Sequence, residues 1–87
     1  MEQAEEMQVG KVTHYFPKIG VAVVEVIAGS IRVGDKLHIK GHTSDFVQKV
    51  ASMQVEHDKV EIAEPGMSVG MKVDGPVRDH DLVYKAV

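Results

Sequence analysis

Cysteine is absent from the 87-residue chain, which excludes disulfides, thiolate-bound metals and a cysteine nucleophile and fits a reducing compartment. Aromatic residues are scarce at 5%, so a core must be assembled mainly from the Val, Ile, Leu and Met within the 44% of apolar residues. A chain of this length holds one domain with one modest core, stabilised by packing alone. No apolar run approaches the ~20 residues that cross a bilayer. The opening Met1-Glu2-Gln3-Ala4-Glu5-Glu6 is acidic where a signal peptide is basic, so a soluble, cytoplasmic protein with no membrane partner is expected. An excess of basic charge is missing as well: 10 Lys and Arg against 13 Asp and Glu give a formal net charge of −3. Binders of nucleic acid that ignore sequence draw their affinity from positive charge, so only a local basic patch is left for that role.

What the chain does have is strand chemistry. Residues 1–6 lack apolar periodicity and read as a flexible tail, with a single domain over 7–87. Met7 to Phe16 reads as a first strand ended by Pro17, and Pro17-Lys18-Ile19-Gly20 as a turn. Val21 to Ile27 is rich in β-branched residues. The stretch Val26 to Ile39 reads as strand, glycine-punctuated turn and second strand, a paired unit in which Gly29 and Gly34 supply backbone angles other residues reach only with strain. Leu37 and Ile39 then alternate inward against Lys36, His38 and Lys40, and residues 41–45 form a polar loop. Along Phe46 to Glu56 the apolar phase slips, for which a bulge near Val50 is the simplest repair. His57-Asp58-Lys59 turns the chain into a strand from Val60 to Ala63, Glu64-Pro65-Gly66 ends it, Val69, Met71 and Val73 alternate cleanly, and Leu82 to Ala86 closes the set. The expected fold is all-β: a small closed antiparallel β-barrel of six to seven strands.

Enzyme chemistry finds no foothold in the residue pattern. No glycine opens a helix, so there is neither a Walker loop nor a dinucleotide fingerprint, and none of Ser30, Ser44, Ser52 and Ser68 sits in a nucleophile elbow. His38 and His42 are four apart but leave a strand for a loop, and Asp79-His80-Asp81 and His57-Asp58 fix no third ligand by spacing. No metal, cofactor or catalytic residue is expected. Two surfaces are candidates for binding RNA or a protein partner. One is the loop carrying Tyr15, Phe16 and Lys18, two of the chain's four aromatics beside a cation. The other is a face made of Arg32, Lys36, His38, Lys40 and Lys49, which alternate outward around the hairpins of residues 29–49.

Four short motifs in order carry a resemblance. Val26, Gly29, Ile31 and Val33-Gly34-Asp35 come first, then Ala51-Ser52-Met53-Gln54. The stretch from Val60 through Ala63, Pro65-Gly66 and Val69-Gly70 follows, and Asp81-Leu82-Val83-Tyr84-Lys85 is last. Together they resemble the second-domain β-barrel of translational GTPases such as elongation factor Tu, from about Val9 to Lys85. The resemblance implies a barrel without its motor: a stand-alone elongation factor-like module that binds no GTP and contacts RNA, the ribosome or a translation-related protein. In that family the segment before the strand at Gly20 helps form the pocket for the aminoacylated end of tRNA. Lys18-Ile19-Gly20-Val21 departs from its glycine-basic-glycine-threonine run, lacking the first glycine and the threonine. The sequence is also similar to the accessory C-terminal barrel of collagenase-like peptidases, which implies protein interaction or oligomerisation with a peptidase-like partner instead.

Overall fold

A computed structural model describes residues 6–42 and 44–86. Most of the expected tail and Thr43 of the expected polar loop lie outside them. Ten strands run β1 (Glu6–Phe16), β2 (Val21–Val26), β3 (Ile31–Arg32), β4 (Lys36–Lys40), β5 (Asp45–Lys49), β6 (Met53–Val55), β7 (Asp58–Val60), β8 (Ile62–Ala63), β9 (Ser68–Lys72) and β10 (Leu82–Ala86). Eight of them form one sheet in the order β5-β4-β10-β1-β2-β9-β6-β7, while β3 and β8 pair separately. Every pairing is antiparallel, and no helix occurs among the described residues. The all-β barrel-like architecture is as expected.

Its details correct the reading of the sequence in three places. The strand count is ten instead of six to seven: β3 is an additional short strand, the stretch from Phe46 to Glu56 divides into β5 and β6, and the expected strand from Val60 to Ala63 is split at Glu61, whose carbonyl accepts the Val33 N–H at 3.0 Å. Gly29 and Gly34 do adopt positive φ, 62° and 97°, but the strands on either side of them are not partners, since β10 and β1 lie between β2 and β4. The two glycines carry the chain from one part of the sheet to another, and β3 between them leans on β8. The phase slip after Phe46 is not a bulge either. β5 stops at Lys49 and β6 starts at Met53; between them Val50 is pinned, its N–H bonding Asp35 O and its C=O accepting the Gly34 N–H, both at 2.8 Å. The chain resumes in the other register once released.

Bulges occur instead in β1, between Gln8 and Gly10 against β10 and between Val12 and His14 against β2. An eleven-residue strand shared by two neighbours has to bend around the core, and an extra residue supplies the bend. The β6–β7 hairpin turns at Glu56 and His57, both at positive φ (49° and 73°). Two consecutive positive-φ residues match the right-handed twist of the flanking strands, and Asp58 and Lys59, expected in the turn, belong to β7.

Alternation then builds the core. Leu37 and Ile39 from β4, Val69 and Met71 from β9, Val24 and Val26 from β2 and Val83 from β10 are all at most 1% exposed. Each such side chain contributes about 1.5–3 kcal/mol through removal from water. The two outer strands, β5 and β7, share no ladder, and β5 is tied instead to the end of β9 and the residues after it. Residues 44, 46 and 48 point inward and reach the segment that follows β9. Ser44 Oγ donates to Pro76 O at 3.1 Å, the Phe46 ring packs over Gly75, and Gln48 Nε2 donates to Lys72 O at 2.8 Å while its Oε1 accepts the Asp74 N–H at 2.8 Å.

Gln48 is 5% exposed, and a leucine of similar volume would leave the Asp74 N–H and the Lys72 carbonyl without partners. Gln48→Leu should lower the unfolding free energy by about 2–4 kcal/mol, measured by urea denaturation. A loss below about 0.5 kcal/mol would show that the seam holds without this bridge.

Candidate functional site

The outward residues of β4 sit directly across from those of β5, with Lys36 opposite Lys49, His38 opposite Val47 and Lys40 opposite Asp45. Four of the expected binding residues, Lys36, His38, Lys40 and Lys49, therefore share one face. It is not uniformly positive. Lys36 and Lys49 form a like-charge cross-strand pair, which is destabilising, whereas Asp45 faces Lys40. His38 is clamped between two carboxylates: Nδ1 lies 2.9 and 3.0 Å from the oxygens of Glu6 and Nε2 lies 2.5 Å from Asp45 Oδ1. Its ring is 6.4 Å from that of Tyr84. Neither Glu6 nor Asp45 was among the candidate residues. Asp45 could have been found by counting back across a β4–β5 hairpin, but Glu6 reaches His38 from β1, on the far side of β10, which no local pattern reveals.

Arg32 stands apart, on β3, with its backbone N–H donating to Asp35 Oδ2 at 2.8 Å. Asp35 also holds Lys85, whose Nζ is 3.0 Å from the same oxygen and donates to Ser30 O at 2.9 Å. Burial alone would raise the Asp35 carboxyl, but the hydrogen bonds from Lys85 and the Arg32 backbone, with their charges, hold it below the usual range. This cluster anchors β10 to the loop before β4.

The aromatic candidates separate as well. Tyr15 is half-buried and packs against the core, while Phe16 is 43% exposed and lies 4.6 Å, centroid to centroid, from the ring of His14. Pro17 to Gly20 form the turn, closed by the Gly20 N–H on Phe16 O at 2.9 Å, and leave Lys18 exposed beside an outward Ile19. Only one of the two rings is free to stack on a ligand. These residues occupy the end of β1 opposite Glu6, so β1 holds the two expected surfaces at its two ends.

The remaining polar residues collect around a hollow of about 440 Å³ lined by Lys40, His42, Asp79, His80 and Tyr84. Asp81 at its edge is buried and spends its carboxylate on the Arg78 N–H at 2.9 Å. Among the described residues no three or more His, Cys, Asp or Glu gather where they could hold a metal ion.

Comparison with known proteins connects this architecture to a family. The family model described as elongation factor Tu domain 2 matches residues 20–80. The chain belongs to the elongation factor Tu domain 2 family. Within that family its resemblances lie away from translation. An uncharacterized protease of Methanocaldococcus jannaschii is 38% identical over 80 residues, which make up 91% of this chain and 19% of the protease. A collagenase of Porphyromonas gingivalis is 34% identical over 82 residues, 93% of this chain and 20% of the collagenase. The chain thus spans about a fifth of the length of these relatives. Among solved structures, the C-terminal domain of a protein assigned as a U32 peptidase from Geobacillus thermoleovorans superposes with a TM-score of 0.85 at 26% identity, covering 91% of this chain and 99% of that domain. The family barrel is therefore shared with elongation factor Tu, while the named relatives are peptidases and not stand-alone translation factors.

His38 gives this elongation factor Tu domain 2-type barrel a pH response. The hydrogen bond to Asp45, with that to Glu6 and the charge of both carboxylates, raises the imidazole above its ordinary 6.5 against the opposing effect of burial. Asp45 is lowered in return by the same contact. A raised folded-state value means the clamp contributes in full below about pH 6.5 and is lost as pH rises through the folded value. Thermal midpoints should fall as pH is raised from 6 through that value, and His38→Gln should flatten the decline. An equally steep decline in the variant would place its origin elsewhere.

Proposed function

We propose that the chain is a non-catalytic accessory barrel of the kind carried by U32 peptidases and collagenases, supplying a binding surface and no bond-breaking chemistry. The observation that carries this reading is the pattern of coverage. More than nine-tenths of the chain matches about a fifth of each relative, and a solved C-terminal peptidase domain matches it almost end to end. The chemistry of the surface agrees. Ser44 is buried and donates to a backbone carbonyl, Asp81 is spent on its own turn, and both ring nitrogens of His38 are taken up by carboxylates. The interruption of the Lys36 to Lys49 face by Asp45 and Glu6 favours a protein partner over RNA, whose phosphates need unopposed cations.

Three measurements bear on the proposal. The purified chain should leave gelatin and casein intact over hours at a concentration where a peptidase degrades them, and proteolysis that co-purifies with the folded chain would overturn the non-catalytic reading. Isothermal titration with GTP should give no saturable heat, since the described residues include no helix N-terminus to hold phosphates. Partners captured on the immobilised chain should persist after nuclease treatment, and their loss would return the assignment to RNA.

A further inference from the structure

Three hollows adjoin one another on the wall made by β3, β8, β7, β6, β9 and the start of β2. The first, about 490 Å³, lies between Arg32 and Ile62. The second, about 180 Å³, shares Val33 and Glu61 with it and is flanked by Lys59 and Val60. The third, about 270 Å³, shares Ser52 with the second and opens over Gly70 between Ile19 and Lys72. They make one continuous groove, and its chemistry repeats: each hollow holds one cation, Arg32, Lys59 or Lys72, beside apolar walls.

All three cations are exposed, and none belongs to an ion pair among the described residues. Glu61 is the one acid on the lining. Several apolar side chains stand unusually free beside the cations: Ile19 is 60%, Val33 41% and Ile62 38% exposed. The groove also passes a stretch of backbone not claimed by the sheet. Ala51 and Ser52 lie between β5 and β6, outside every ladder and without a backbone hydrogen bond among the described residues.

We propose that this groove binds an extended acidic peptide segment in which carboxylates alternate with branched apolar side chains. An extended chain presents successive residues to opposite sides, so carboxylates meet Arg32, Lys59 and Lys72 in turn while intervening side chains cover Ile62, Val33 and Ile19. Free amides and carbonyls at Ala51 and Ser52 add main-chain pairing of the strand-addition kind. The net positive lining, in a chain whose total charge is −3, selects against basic segments. A peptide ligand presupposes that the chain is a binding module, as proposed above, and names the class of partner that module takes.

The test is fluorescence anisotropy with a fluorescein-labelled octapeptide alternating glutamate and valine, titrated with the full chain at low salt. Saturable binding is expected, weakening as salt is added. Replacing glutamate by lysine in the peptide, or valine by serine, should remove it. The triple variant Arg32→Glu, Lys59→Glu, Lys72→Glu should raise Kd by about tenfold or more. Reversing Lys11 and Arg78 to Glu, both exposed and on neither the groove nor the β4–β5 face, should shift Kd by no more than about twofold. Circular dichroism melts of both variants check the fold. No saturation below about 1 mM, equal losses in both variants, or equal affinity for the lysine peptide would each overturn the proposal. Intact peptide by mass spectrometry after the titration keeps the two readings apart: cleavage would sink the non-catalytic module, whereas absent binding would sink the groove alone.

Discussion

The barrel depends on one buried amide. Strand pairing supplies most of the wall, but the ladder ends at β5 on one side and β7 on the other, and an open sheet of this size would leave its core exposed along a slot. Gln48 ties the outer strand β5 across the core to the end of β9, giving a donor to Lys72 O and an acceptor to the Asp74 N–H. A glutamine is suited to this because its amide presents both functions at the end of a side chain long enough to cross between backbones. Ser44 and Phe46 follow the same line toward Pro76 and Gly75. The irregular stretch after β9 is thereby held as an eleventh rib without becoming a strand.

This arrangement explains what the sequence disclosed and what it withheld. Leu37 and Ile39 in β4 and Val69 and Met71 in β9 alternate as plainly in the letters as in space, because both strands have one face on the core. β10 was legible to its ends as a short run with strand-favouring Val83 and Tyr84. Gln48 was not, although the signal existed: Phe46 and Val50 share a phase, and the residue midway between them must point the same way. Reading apolar residues alone skipped the polar one in register. The non-local pairings were withheld for a different reason. That β10 inserts between β4 and β1, separating strands adjacent in sequence, follows from where the whole sheet closes and not from any window of residues.

The binding candidates divide along the same line. Residue type and outward phase were enough to place Lys36, His38, Lys40 and Lys49 on one face, since all four lie on two strands of one hairpin. Charge balance on that face was not legible, because Glu6 arrives from β1. The groove that runs past Ser52 draws on six strands, and no stretch of sequence contains it. An elongation factor Tu domain 2-type barrel among peptidase-like relatives shows how little a shared wall fixes the use made of it; what distinguishes one member from another is which side chains the outer faces and strand ends present.

Glu6 and Ala86 are ladder partners at the same end of β1 and β10. The first and last described residues thus leave the domain side by side, several strands away from the Glu56–His57 hairpin tip. With Glu6 and Ala86 so placed, the described residues form a closed circuit with respect to their covalent path: a link between these two positions and a break at the Glu56–His57 turn leave every ladder but β6–β7 untouched. The order in which the strands are synthesised is accordingly separable from the order in which they pack, and the same wall could be threaded as a loop within another polypeptide as readily as it is built here.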